Sequence, residues 1–250
     1  MNKNLTVEIM KIFLLPVLLV LWVLPAASQD DPNTILSKMD QVMFSPKDRS
    51  GNLTMILVDK DGSEKIREAT FLQKGTDKKL YRYTKPESQA GIASLSLPGD
   101  VMWLYMPALG QPKKVSILSR SQAFTGTDFA YEDMALSSYS ERFTPSIQST
   151  GANDYVLELN PKSNKSIYSK ILVRVDKTNG YPIWMKYYNA QGRMFKEATY
   201  TYEKVGKYWN ASEVVMKDLE KNHSTIVRMK NVKFDQGLSD DIFTVEKMKK

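Results

Sequence analysis

The sequence predicts a mainly β protein, a twisted antiparallel sheet curled round a concave inner face, and three observations predict it. From residue 50 to residue 234, short segments with a two-residue apolar period alternate with clusters of Gly, Pro, Asn and Asp, the spacing of successive hairpins. Only two stretches, 35–43 and 129–136, read as helix. No Pro-, Gly- or Ser-rich linker divides the chain, so residues 29–250 are expected to form one domain. A strongly twisted sheet of about ten strands tends to curl. Its concave face must then be filled by side chains, by helices or by a ligand.

The chain opens with an apolar run, residues 12–24, preceded by Lys3 and Lys11 and followed by Pro25-Ala26-Ala27-Ser28. This is the pattern of a secretory signal peptide, with cleavage expected after Ser28. The competing reading, a membrane anchor, is disfavoured because the run has thirteen residues, against about 20 for a spanning helix. Loss of Lys3, Lys11 and Glu8 with that segment lowers the formal charge from +7 to +6. The basic residues are spread along the chain, so the charge suits a solvated surface and does not suit nucleic acid binding. With no cysteine there is neither a disulfide nor a site for lipidation at a new N-terminal Cys. Stability therefore has to come from the core.

Asp31-Pro32-Asn33-Thr34 caps the first helix, whose Leu36, Met39 and Met43 share a face. The period then changes to two. Leu53, Met55 and Leu57 alternate with their neighbours, Asp59-Lys60-Asp61-Gly62 turns the chain, and residues 64–73 return. Further strands are read at 79–84, 92–97 and 101–106, and, beyond a central irregular stretch, at 142–149, 155–160, 170–176, 182–188, 193–204, 207–219 and 225–234. Ser239-Asp240-Asp241 is expected to cap a last turn before Phe243, which would tuck into the end of the barrel.

Residues 101–133 concentrate the unusual choices. Met102, Trp103, Leu104, Tyr105 and Met106 make a strand apolar on both faces, so both sides must be covered, with Trp103 and Tyr105 on one and the other three opposite. Pro107 ends it, and the cations Lys113, Lys114 and Arg120 follow. In residues 122–129, Phe124 and Phe129 stand among Ser, Thr and Gly, as in a loop lying over something apolar; a mobile lid and a rigid loop plugging the core both fit. A short helix is expected next, with Thr127 or Asp128 as its N-cap.

These residues resemble the LolA-like proteins of outer-membrane lipoprotein sorting. There an aromatic W-L-Y-x-P strand precedes a basic pair and an F-x-G-[ST]-D-[FL]-x-[YF]-[ED]-D segment, matched here by Trp103, Leu104, Tyr105, Pro107, Phe124, Gly126, Thr127, Asp128, Phe129, Tyr131, Glu132 and Asp133. Outside residues 101–133 the likeness is one of strand rhythm and of the closing Asp241-Ile242-Phe243-Thr244-Val245. The resemblance implies an unclosed antiparallel β-barrel, of about ten or eleven strands, wrapped round a few short helices and enclosing a hydrophobic cavity for acyl chains. It turns Met102, Trp103, Leu104, Tyr105, Met106, Phe124, Phe129 and Tyr131 into candidate pocket residues, and Lys113, Lys114 and Arg120 into candidates for the rim or a partner contact.

Chemistry of other kinds finds little support. His223, the single histidine, is read as an exposed turn residue without a G-x-S-x-G elbow. One His and no Cys make no zinc set. Asp128, Glu132 and Asp133 suit a helix cap and its neighbours better than acid–base work or Ca²⁺. The 13 Met residues suit a pocket that adapts to flexible chains, but equally an ordinary core. The expected function is thus a non-enzymatic, monomeric periplasmic carrier without a cofactor. The resemblance implies an inner-membrane transporter and an outer-membrane acceptor as its partners. Alternatives are a non-carrier accessory protein of an RND-type or ABC-type lipid exporter and, more distantly, a lipid-modifying enzyme.

Overall fold

The computed structural model describes residues 30–44, 46–76, 78–99, 101–115, 122–133 and 138–249. The expected signal peptide and Arg120 lie outside the described residues. Among the described residues, no helix is long and apolar enough to cross a membrane.

Helix α1 (Pro32–Phe44) is followed by strands β1 (Asp48–Val58), β2 (Glu64–Lys74), β3 (Lys78–Lys85), β4 (Ala93–Leu97), β5 (Val101–Tyr105) and β6 (Lys113–Lys114). A single turn of helix, α2 (Tyr139–Arg142), then leads into β7 (Phe143–Thr150), β8 (Asp154–Pro161), β9 (Lys170–Asp176), β10 (Pro182–Tyr188), β11 (Met194–Val205), β12 (Tyr208–Asp218) and β13 (His223–Phe234). All thirteen form one unclosed antiparallel sheet in the order β6-β5-β4-β3-β2-β1-β13-β12-β11-β10-β9-β8-β7. The count exceeds the ten or eleven expected. The two-residue β6, for one, is too short to show any alternation.

The first and last strands meet in the middle of the sheet, Met55 opposite Val227 and Leu53 opposite Met229. Gly51 sits at an irregularity in this pairing, and a Cβ there would come within 2.7 Å of the Phe71 ring, so a larger side chain would have to displace that ring. The buried Asp48 accepts from the backbone N–H groups of Gln236 (2.7 Å), Gly237 (2.8 Å) and Leu238 (2.9 Å) and so fixes the chain as it leaves β13.

Asp31 caps α1, accepting from the backbone N–H of Thr34 at 3.1 Å. The helix lays Ile35, Leu36 and Met39 against Leu157, Leu159, Val173, Met185 and Met216, so the β7–β12 side of the sheet is packed solid. A second cluster joins Leu53, Met55 and Leu57 to Phe71 and Tyr83 on β1–β3. A third lies on the opposite face of β2–β5, where Leu80, Ala93 and Leu95 are covered by Phe243 and Met248 of the C-terminal tail. Phe243 therefore covers a sheet face and does not tuck into a barrel end, and Ser239 makes no side-chain cap.

Candidate functional site

Alternation along β1, β13 and β12 points Met55, Leu53, Val227, Met229, Val214 and Met216 to the concave face. Because α1 covers the neighbouring strands, this patch faces a hollow of about 160 Å³, closed by Phe124 and Phe129. A space of about 130 Å³ adjoins it, reaching Tyr202 and Trp209, and the two share Met43, Arg49, Lys79, Asp133, Tyr139 and Tyr200.

The closing segment, residues 122–133, is held by polar contacts at both ends. Phe124 is 3% exposed, with the Tyr131 ring edge-on at 5.5 Å. Thr125 has φ +48, an uncommon conformation for a β-branched residue. Its carbonyl accepts from Arg67 at 2.5 Å and its hydroxyl meets the Tyr83 hydroxyl at 2.6 Å. At the other end the Asp128 carboxylate accepts from the Thr225 hydroxyl (2.7 Å) and faces His223 Nδ1 (2.7 Å), while Lys196 Nζ donates to the Asp128 carbonyl at 2.6 Å.

Asp128 is thus no helix cap. The amides that a cap would hold go elsewhere, Ala130 N–H to Asp133 Oδ2 (2.7 Å) and Tyr131 N–H to the Gln122 carbonyl (3.1 Å), and residues 131–133 form a turn. Residues 134–136, the rest of the expected helix, lie outside the described residues. His223 is likewise no exposed turn residue: it begins β13, its side chain 21% exposed. The Asp128, His223 and Thr225 arrangement lacks the order of a hydrolytic triad, since the hydroxyl bonds the carboxylate and not the imidazole.

Glu132 accepts from Ser166 Oγ (2.7 Å) and Ile167 N–H (2.9 Å). Asp133 accepts from the Tyr168 hydroxyl at 2.6 Å, and burial raises its pKa, partly offset by Lys196. All three carboxylates are fasteners of this segment.

The remaining predicted residues are dispersed. Trp103 and Tyr105 pair with Leu95 and Ala93 and pack in the cluster under the C-terminal tail, away from the hollow. Met102 and Leu104 pair with Ser96 and Ser94 on the other face, the split that alternation predicts, yet they, Met106 and Tyr131 do not line the hollow. Phe124 and Phe129 do. Lys113 and Lys114 are exposed on the edge strand β6. Lys114 lines a cleft of about 650 Å³ between the two free ends of the sheet, together with Val101, Arg142, Phe143, Lys162 and Lys165.

Two cations on the concave face were not singled out in the sequence. Arg49 of β1 and Lys79 of β3 flank Gln73 of β2 in register. The signal was present in β3, where Lys79, Tyr81 and Tyr83 occupy one alternating face and Leu80 and Arg82 the other. Lys79 is 9% exposed, and burial together with Arg49 lowers its ammonium to about 7. Burial pushes the phenols of Tyr81 and Tyr139 up to about 12, so both stay neutral.

The fold recurs in solved structures. A domain assigned to outer membrane lipoprotein sorting from Vibrio parahaemolyticus is 26% identical, with a TM-score of 0.78 over 86% of this chain and 97% of that one. A LolA superfamily protein from Nitrosomonas europaea is 25% identical, with a TM-score of 0.73 over 86% and 98%. This chain has a LolA-like fold. A DUF1329 family protein from Desulfovibrio piger shares the fold at 22% identity, with a TM-score of 0.81 over 88% of this chain and all of that one. The chain belongs to a family whose model, described as "Uncharacterized protein", matches residues 75–250. No curated protein matches it.

Proposed function

We propose that this LolA-like chain is an exported periplasmic carrier that shields the acyl chain of a lipoprotein or another lipid and delivers it toward the outer membrane. The observation that carries this reading is the apolar hollow beneath Phe124 and Phe129, on the half of the concave face that α1 leaves uncovered. Its mechanism is burial, each methylene removed from water contributing about 0.8 kcal/mol.

Size decides how loading proceeds. At about 160 Å³ the hollow is below the roughly 300–1,000 Å³ of ordinary ligand sites. A whole chain therefore enters only as Phe124, Phe129 or the flexible Met43 and Met229 move aside. The segment 122–129 then acts as a lid that exchanges its own apolar contacts for those of the ligand. Release requires an acceptor that binds the chain better, and an inner-membrane transporter and an outer-membrane acceptor fill the two ends of that route.

Native mass spectrometry of the protein isolated from its own cell envelope tests the reading. A co-purifying lipid is expected, and its retention should change in Phe124→Ala. A ligand-free protein that also fails to take up lipid from vesicles overturns the carrier.

A further inference from the structure

Arg49 and Lys79 place two cations on one wall of the hollow with no carboxylate within ion-pair distance of either among the described residues. The pairing of β1 through β2 to β3 sets their backbones about 10 Å apart, two strand spacings, and both side chains line the same space. Arg49 gives Nε–H (2.9 Å) and one Nη2–H (2.8 Å) to a neutral acceptor, Gln73 Oε1. Of the five guanidinium N–H groups, three remain. Gln73 brings no charge to the pair, and its amide donates to the Gly75 carbonyl at 3.0 Å.

The Lys79 ammonium makes no hydrogen bond among the described residues and lies 5.5 Å from the Tyr81 ring centroid. The carboxylate on this hollow, Asp133, is already held by Tyr168 and the Ala130 amide. A buried ammonium without a counter-ion, beside a second cation, destabilises the fold. Simple packing would favour an apolar residue at either position. An anion placed between them would remove the cost and accept charge-assisted hydrogen bonds from both.

We propose that Arg49 and Lys79 form a receiving site for the anionic group, carboxylate or phosphate, of a single-chain amphiphile whose tail runs along Met55, Val227 and Met229. This assignment rests on the carrier reading and narrows it. The ligand then enters with its charge inside the barrel, and an uncharged lipid of equal length is a poorer cargo.

The test compares decanol, decanoate and decyl phosphate by isothermal titration at pH 6.5. Wild-type protein should bind one or both anions about tenfold or more tighter than decanol, as one charge-assisted contact predicts. Arg49→Gln/Lys79→Met should bring the ratio close to one by weakening the anions, with a cooperative urea transition showing that it folds, while Lys79→Arg keeps the preference. Equal affinities for all three ligands, or a preference that survives the double variant, overturns the anion site and leaves the carrier standing. No binding of any of the three overturns the anion site, while the carrier is judged separately by the lipid that co-purifies or is taken up from vesicles. Decanoate against decyl phosphate tells which of the two chemistries the pair prefers.

Discussion

One half of the concave face is filled and the other is hollow, although both are built from the same alternating strands. Over β7–β12, α1 presses Leu36 and Met39 into the sheet, and Leu157, Leu159, Val173 and Met185 are fully buried. Over β1–β3 and β13 the cover is a loop, and Arg49, Lys79 and Tyr81 stand beside Leu53, Met55, Val227 and Met229. Strand periodicity places side chains inward on both halves alike. The element that lands on them decides whether the space becomes core or cavity, and here α1 is 13 residues long and does not reach across.

The comparison makes graded predictions. Phe143→Ala, in the filled half at 1% exposure, should cost about 3–5 kcal/mol by urea denaturation and leave lipid uptake by the folded fraction intact. A loss under about 1 kcal/mol would mean that this half is loosely packed too.

Lys79→Met, in the hollow half, should stabilise the protein by roughly 2–4 kcal/mol near pH 6, where a buried charge is replaced by an apolar chain of similar length. The sign follows from linkage. Folding lowers the Lys79 ammonium to about 7, whereas the unfolded chain keeps its proton to about 10.4. The unfolded state therefore binds more protons between those values, and the wild type gains on the variant as pH rises through that window. A difference between the two proteins that stays flat from pH 6 to 10 would show that Lys79 is not buried as a strained cation.

Asp128→Ala, at the fastening of the loop that closes the hollow, should have the smallest effect on stability, about 1–3 kcal/mol for the lost partners of Thr225 and His223. Hydrogen exchange should quicken at the amides of Asp128 and Tyr131, which bond Thr225 Oγ1 and the Gln122 carbonyl. Unchanged exchange would show that Phe124 and Phe129 alone hold the loop shut.

Local pattern made the strands, the first helix with its Asp31 cap and most hairpin turns legible, because each depends on residues close in sequence. Alternation also set Trp103 and Tyr105 on one face and Met102 and Leu104 on the other, each with a cover expected over it. It did not say by what: Trp103 and Tyr105 meet a tail about 140 residues further on, and a covered face reads the same whether its cover is a ligand or Phe243. The fastening of Asp128 escaped for a like reason. Its partners His223 and Thr225 are 95 and 97 residues away, while the local habit of Asp before a helix offered a nearer role. Arg49 and Lys79 went unremarked since charge on a strand is ordinarily a solvated face, and only the register through Gln73 sets the two side by side.

The order of the sheet has a bearing on how the chain reaches this form. Its centre is the pairing of β1 with β13, which joins Arg49 to Phe234, whereas its free edges come from the middle of the chain. As the chain emerges N-terminus first, β1 can pair at once with β2, but its other edge stays open until nearly the whole chain has emerged. Closing a loop of that length is the slowest kind of contact to make. Through that interval the exposed edge carries the apolar row Leu53, Met55 and Leu57 and can pair with a stray strand. The step that completes the sheet is therefore also the one that needs the most protection, and a chain cut short before β13 has no means of finishing it.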